Sequence, residues 1–537
     1  MRRLVWSLAA LCLATAAVSS AEEPRYVIFS IMGPEAMGSS IGSKTGDWNA
    51  RLQDSVAEMR GEFGPQRPGR NRYLGFSVAL VPTLNLTPDQ LKAQIVLALD
   101  IADREGIPVF FHIDDEHFWW RSAELAGNPD MIEWSDFPKA GESRGPAAPR
   151  YWLPRGDPPS VFPAPPPCFA CSAFRAEMGL RLKNCVGGPI ARRLKSWREQ
   201  GREHLFAGIA SGNETQVLDL RAAARADWPA GEIGLDRSHD PPLRTTISAE
   251  EMLPAGYHAL HAMGYDRDAV DRLAEGGAAS VEATVESLLA GVAHDYAEFQ
   301  AKTLFESGIP ADRIYTHFTS SSRTTRRSFK SRPDPSGRAG SGNLPPPISA
   351  AVNRYSRPGF TIVRDAVDLE ELSAQLARAG APEEGRAWAA VESYASTGQP
   401  GVPQNEKQYE EYLGGLLGHG AKVVNVYGWN IPWIARSPYR IASSGVVTAV
   451  KKWLSGAELP AGWSGALMQR RAASIQAKMA RLEGTARQAA SRGRHPLMIH
   501  WTVWRFQRKF MPLMRAGRYE EAEAVLDRAL AALEMRP

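Results

Sequence analysis

Thr87-Pro-Asp-Gln-Leu-Lys-Ala-Gln-Ile-Val-Leu-Ala-Leu-Asp-Ile-Ala-Asp-Arg-Glu-Gly-Ile-Pro-Val-Phe-Phe-His-Ile113 holds a complete helix and the strand that follows it. Thr87, Pro88 and Asp89 form a capped helix start, Leu91, Ile95, Leu99 and Ala102 recur at helical spacing, and Gly106 ends the helix. Ile107 to Ile113 is then apolar on both faces, as a buried parallel strand must be. A similar run, Tyr73 to Val81, precedes the helix. Strand, helix and strand at this spacing make a βαβ unit, whose right-handed crossover, repeated, builds a parallel sheet.

The alternation extends in both directions. Tyr26-Val-Ile-Phe-Ser-Ile-Met32 reads as the first strand. After the quoted unit, a helix over 172–200 with Phe174, Met178, Leu182 and Ile190 on one face leads to a fourth strand, Leu205-Phe-Ala-Gly-Ile-Ala210. A long helix from Val281 to Ser307 leads to Arg313-Ile-Tyr-Thr-His-Phe318, and Gly359-Phe-Thr-Ile-Val363 follows as strand six. Helices Leu369 to Ala379 and Glu406 to Leu417 precede Ala387-Trp-Ala-Ala-Val391 and Ala421-Lys-Val-Val-Asn-Val-Tyr427. That makes eight strands, the number a closed (β/α)8 or TIM barrel requires. An open doubly wound sheet is the rival, but it carries a Gly-rich phosphate turn after strand one, and Ser30-Ile-Met-Gly33-Pro34 is not a G-x-G-x-x-G.

Stretches outside the alternation are long loops after strands three, four and five: Trp119 to Cys168, Ser211 to Ser280, and Ser320 to Arg357. Segments after barrel strands form the C-terminal face, where active sites lie. Past Trp453 the pattern becomes helical only, with candidates at Leu467 to Ser491, Trp501 to Met514 and Arg518 to Leu533. The expected division is a signal peptide over 1–21, a barrel over 22–455 and a helical region over 456–537.

The chain has 537 residues, 44% hydrophobic and 23% charged, which is ordinary globular composition. Its formal net charge of +4 includes Arg2 and Arg3 and gives no reason to expect a nucleic-acid partner. Arg2-Arg3, the apolar run Leu4 to Val18 and the small residues Ser19-Ser20-Ala21 read as a cleavable signal. The run is shorter than the roughly 20 residues that span a bilayer, so we expect a secreted or periplasmic protein with no membrane span once the signal is removed. Export leaves Cys168, Cys171 and Cys185 in an oxidising compartment, where one pair can close a disulfide whose identity the sequence does not fix. A zinc site at Cys168-x-x-Cys171 lacks a second ligand pair nearby.

Two glutamates stand where strands emerge: Glu214 after strand four, preceded by Asn213, and Glu392 after strand seven. Cleaving a glycosidic bond takes one carboxylic acid to protonate the leaving oxygen and another carboxylate to attack the anomeric carbon or activate water, both on rigid elements. In these residues, and in Tyr427-Gly-Trp429 after strand eight, the chain resembles the clan A glycoside hydrolases, retaining (β/α)8 enzymes that include many β-galactosidases, β-glucosidases and endoglycanases. The resemblance implies that Glu214 is the acid/base, Asn213 binds the sugar 2-hydroxyl, Glu392 is the nucleophile and Trp429 floors the first subsite beside Tyr427. Thr215 departs from the clan's usual Pro, and no single family within the clan is matched. Asn213-Glu214-Thr215 and Asn85-Leu86-Thr87 are also glycosylation sequons.

A second cluster, His112-Ile-Asp114-Asp115-Glu116-His117-Phe118-Trp119-Trp120, follows strand three. Carboxylates and imidazoles bind sugar hydroxyls and indoles cover the apolar face of a pyranose, so His112, Asp114, Glu116 and Trp119 are expected substrate contacts. A cation held by Asp114, Glu116 and His117 is the alternative, but the ligands lack a regular spacing, and no cofactor or metal is expected. Tyr315, His317 and Asn425 sit at strand ends facing a barrel mouth, with Trp134, Arg364 and Trp433 near others; Trp388, inside strand seven, reads as core. The expected function is an exported glycoside hydrolase acting on an oligosaccharide or glycoside. The alternatives are a carbohydrate-binding barrel without catalysis and a metal-dependent barrel hydrolase using the Asp114 cluster.

Overall fold

Strands that are apolar on both faces need cover on both, and the computed structural model supplies it. It describes residues 23–32, 48–65, 71–115, 119, 122–148, 151–153, 160–162, 165–215, 217, 235–236, 243–244, 255–277, 281–319, 347–362, 369–394, 405–429, 445–460 and parts of 474–534. The expected signal segment, Glu116, His117, Trp120, Arg364, Trp433 and most of the loop after strand five lie outside these residues.

The barrel strands are β1 (Arg25–Met32), β2 (Arg72–Pro82), β3 (Val109–Asp114), β4 (Phe206–Ser211), β5 in two pieces (Ile314–Thr316 and Phe318–Thr319), β6 (Gly359–Ile362), β7 (Trp388–Tyr394) and β8 (Ala421–Tyr427). All pair in parallel, each with its sequence neighbour, and β8 pairs with β1 through Tyr26↔Val423 to Phe29↔Val426. The ring is completed by β5, whose first piece pairs with β4 and whose second pairs with β6. The architecture is the (β/α)8 barrel expected from the alternation.

Side chains on a strand alternate between faces, and two cores result. Val27, Phe29, Leu74, Phe76, Val109 and Phe111 face outward into a large cluster shared with the helices. Tyr26, Ile28, Phe110, Ala210, Tyr315, Ala389, Val391 and Val423 face inward and fill the lumen. Helix Pro88–Glu105 shows how the outer layer is placed. Thr87 and Gln90 cap each other's backbone N–H groups, Leu91, Ile95, Leu99 and Ala102 are buried, and Gly106 stops the helix at φ 66°. The helix after the third strand's loop runs from Ser172–Arg181 through a π-helical turn, Leu182–Gly187, into Gly188–Glu199.

Charged groups close the N-terminal end of the lumen. Arg357 bonds both Glu23 and Glu383, and Lys422 reaches the same two carboxylates at 2.8 and 3.1 Å. Arg313 donates to the Tyr26 hydroxyl at 2.9 Å.

The loops after β3 and β4 have structure of their own. Short strands Tyr151–Leu153, Ser160–Phe162, Leu243–Arg244 and Leu235–Asp236 form a separate antiparallel sheet to which both loops contribute. Cys168 and Cys171 form a disulfide in the first loop, and Cys185 is a buried free thiol. In the helical C-terminal stretch, Ile475, Leu482, Phe506, Phe510, Leu526 and Leu530 make a core of their own, apart from that of the barrel. Among the described residues no helix is long and apolar enough to cross a membrane.

Candidate active site

One pleat nearer the C-terminal ends of the strands, the inward face changes from apolar to polar. Ile28 is followed on its face by Ser30, Gly75 by Ser77, Phe110 by His112, Tyr315 by His317 and Val423 by Asn425, and these polar side chains are all buried. Buried polar groups must find partners, and they find one another. Asn425 Oδ1 accepts from Ser30 Oγ at 2.9 Å, while its Nδ2 donates to Val391 O at 2.8 Å and to Ser77 Oγ at 3.4 Å. Asn425 thus ties β8 to β1, β2 and β7 directly beneath Glu392.

Glu392 reaches this layer through a bulge. Phe360 pairs with Ala390 but Thr361 pairs with Glu392, and on the other side Ala390 pairs with Val424 but Ser393 with Val426. Between Ala390 and Ser393, strand β7 therefore carries one residue more than either neighbour. Val391 already faces the lumen, so strict alternation would turn Glu392 outward; the extra residue resets it. Glu392 Oε1 comes within 3.8 Å of His112 Nδ1.

Glu214 is held by its backbone. Gly212 takes φ 82°, and a Cβ there would meet Thr215 Oγ1 at 2.3 Å and Gln300 Oε1 at 3.1 Å, so no side chain fits. Asp115 Oδ1 accepts the Asn213 N–H at 3.2 Å, and its Oδ2 accepts from Gln300 Nε2 at 2.7 Å. Burial and the neighbouring Asp114 charge push the Asp115 carboxyl up to about 6. The Glu214 N–H donates to His317 Nδ1 at 3.2 Å and the Thr215 N–H to His317 O at 2.9 Å. Glu214 itself sits at φ 49°, a left-handed conformation costing about 1–3 kcal/mol that these contacts impose.

The same bonds fix the histidine protons. A backbone N–H can only donate, so His317 Nδ1 is an acceptor and the neutral ring carries its proton on Nε2, which donates to Thr361 Oγ1 at 2.8 Å. Gly212 O lies 3.3 Å from the same nitrogen. His112 Nε2, 3.0 Å from His317 Nδ1, then holds its own proton toward that ring. The rings meet edge-on, with centroids 4.6 Å apart.

His112, His317 and Glu392 offer three metal-ligating atoms within 4.8 Å of one another. In this structure the same atoms are engaged with one another and with the Glu214 N–H. His317 Nδ1 receives the Glu214 N–H and faces His112 Nε2, and His112 Nδ1 faces Glu392, so the group is a chain of polar contacts. Cys168, Cys171 and His258 are also close, but the two sulfurs are joined to each other.

Of the residues expected at the site, Asn213, Glu214, His112, His317, Asn425 and Glu392 come together, with Asp114 buried beside them and Tyr427 half-buried one pleat beyond Asn425. Three expectations are corrected. Trp119 belongs to the outer core, edge-on to Phe174 with its indole N–H on Pro165 O at 3.1 Å. Tyr315 lies deeper in the lumen against Phe110, its phenol raised by burial and facing Arg357 and Arg313 at the opposite end. Trp429 does not floor the mouth: after Gly428, at φ 95°, it packs outside β1 on Phe29 at 5.1 Å and donates to Glu58 at 3.2 Å. Asp115, Gln300 and Thr361 position the site without having been expected there. Asp115 stands in the polar cluster after β3, which was its signal, whereas Gln300 and Thr361 gave none.

No family model and no curated protein matches the chain. Among solved structures it is similar to the catalytic domain of a beta-amylase from Paenibacillus polymyxa, at 10% identity over 82% of this chain and 100% of that one, with a TM-score of 0.40. A likeness that distant does not assign a reaction.

Proposed function

We propose that this protein is an exported glycoside hydrolase that cleaves O-glycosidic bonds of an oligosaccharide or glycoside with retention, using Glu392 as nucleophile and Glu214 as acid/base. The observation that carries the reading is that both glutamates, remote in sequence, are tied to one histidine pair at the C-terminal end of the barrel, Glu214 through its backbone and Glu392 through its carboxylate. Barrel enzymes place their chemistry at that end. The resemblance of Asn213-Glu214 and Glu392 to the clan A glycoside hydrolases points the same way.

In the first step a Glu392 oxygen bonds the anomeric carbon as the bond to the leaving oxygen breaks, and Glu214 gives that oxygen its proton. In the second, water attacks the anomeric carbon, Glu214 takes the water proton, and Glu392 departs as a carboxylate. Asn213, held by Asp115, is the sugar-hydroxyl contact, and Asp114, Tyr427 and Glu116 are further candidates for the same role. The helical region from 456 onward is proposed as an appended unit rather than part of the catalytic ring.

A panel of chromogenic glycosides tests the proposal. The wild-type protein should cleave at least one of them, Glu392→Gln should lack turnover, and Glu214→Gln should lose about 10²–10⁴-fold in kcat. Substantial cleavage by both variants would falsify the assignment.

A further inference from the structure

On the reading of Glu392 as nucleophile, we propose that His112 is its positioning residue: the His112–His317 pair presents His112 Nδ1 to the Glu392 carboxylate and sets the pH at which that carboxylate ionises. With the Glu214 N–H donating to Nδ1 at 3.2 Å, His317 carries its proton on Nε2, 2.8 Å from Thr361 Oγ1. His112 therefore donates from Nε2, and a second proton on this ring can enter only at Nδ1. That atom is 3.8 Å from Glu392 Oε1. At such a distance a positive charge favours the ionised carboxylate and lowers its pKa by about 1–3 units.

Among the described residues, the titratable groups around this pair are Asp114 and Asp115 at the end of β3, Glu214 after β4, His317 on β5 and Glu392 on β7. Strands β1, β2, β6 and β8 contribute Ser30, Ser77, Thr361 and Asn425, which stay neutral. The nearby charged groups are thus carboxylates, which favour a protonated His112. During the reaction Glu392 loses its charge on bonding the anomeric carbon and regains it when that bond breaks. His112 keeps its proton throughout and faces the charge both times.

Two substitutions separate the two ends of the ring. In His112→Gln the amide lies near the place of Nε2, keeping the bond to His317 and removing the imidazole nitrogen that faces Glu392; in His112→Asn it lies near Nδ1, keeping a neutral donor there. The pH profile of kcat/KM on a cleaved chromogenic glycoside is measured for both, and the ring nitrogens of His112 are titrated by NMR in the wild type and in Glu392→Gln. Expected is an acid limb moved to higher pH by about one unit or more in His112→Gln and by less in His112→Asn, with the His112 midpoint falling by a similar amount in Glu392→Gln. An acid limb unmoved in folded His112→Gln, or a His112 midpoint indifferent to Glu392→Gln, overturns the proposal. If the wild type cleaves no glycoside, it is the nucleophile reading that fails. The NMR titration then decides by itself whether the two side chains are coupled.

Discussion

Thr361 and Glu392 stand opposite each other across β6 and β7, at the point where β7 carries its extra residue. The Thr361 hydroxyl also accepts the proton of His317 Nε2 at 2.8 Å, so one side chain anchors the histidine chain and borders the carboxylate at its other end. Thr361→Val keeps the shape and removes the acceptor, leaving a buried imidazole N–H without its partner. The expected loss is about 1–3 kcal/mol of stability by urea denaturation. Thr361→Ser should restore most of it, and equal losses in both variants would show that the methyl group, not the hydroxyl, matters.

Glu133 predicts how stability varies with pH. Its side chain is fully buried, and its Oε2 accepts N–H groups of Gly256 and His258 at 3.1 Å each and of Ala259 at 3.4 Å. Burial outweighs these bonds and raises the carboxyl from 4.5 to about 8. A raised carboxyl favours the fold fully below its ordinary pKa, and the contribution is lost as pH climbs through the folded value. Asp115, raised from 3.8 to about 6, acts in the same sense over a lower window. Wild-type stability should therefore fall between pH 5 and 8, by an amount on the order of a few kcal/mol. Glu133→Gln keeps the acceptor oxygen and does not titrate, so its melting temperature should vary much less between pH 6 and 8. An unchanged slope would place the titrating group elsewhere.

The eight strands were legible because each is a continuous apolar run, such as Ile107 to Ile113, set off by a helix with a visible start and stop. The polar layer was partly legible for a related reason: a single His112, His317 or Asn425 at the end of such a run lies on the same face as an apolar residue two positions earlier. The bulge was not. Nothing in Ala387-Trp-Ala-Ala-Val391-Glu392 says that one residue is unpaired, because a bulge is decided by both neighbouring strands together. Trp429 misled for a related reason. Gly428 lets the chain turn either way, and Phe29 and Phe63 on the outer surface offered the ring more to pack against. The disulfide became readable only when the fold placed Cys168 and Cys171 with their Cα atoms 5.4 Å apart and Cys185 on a helical face without a partner thiol.

The opposite end of the lumen should govern stability without touching the chemistry. Arg357 is 8% exposed and donates to Glu23 and, at 3.0 Å, to Glu383, joining the chain before β1 to that before β7. Arg357→Met should cost about 2–3 kcal/mol, the upper range for hydrogen bonds to charged groups, with Lys422 still compensating part of the exposed charge. Arg357→Lys keeps the charge but cannot span both carboxylates, and should fall between. In each variant kcat on a cleaved glycoside should match the wild type at temperatures where the protein stays folded. A fall in kcat that parallels the loss of stability would mean that the two ends of the barrel are coupled.

Two glycines separate backbone strain from crowding. Gly106 and Gly212 both take left-handed conformations, at φ 66° and 82°, and alanine is strained at either. A Cβ on Gly106 meets nothing within 4 Å, so Gly106→Ala should cost only the conformational term, about 1–2 kcal/mol, and leave activity unchanged. On Gly212 the added carbon would lie 2.3 Å from Thr215 Oγ1 and 3.1 Å from Gln300 Oε1, the residue that also braces Asp115. Thr215, Gln300 or the turn itself must give way, and all three support the segment that carries the Glu214 N–H fixing the His317 proton. Gly212→Ala should therefore cost more than Gly106→Ala in urea denaturation and, on the proposed role of Glu214 as proton donor, lower kcat/KM by about tenfold or more. Matching activities in the two variants would show that the placement of Glu214 does not depend on this turn.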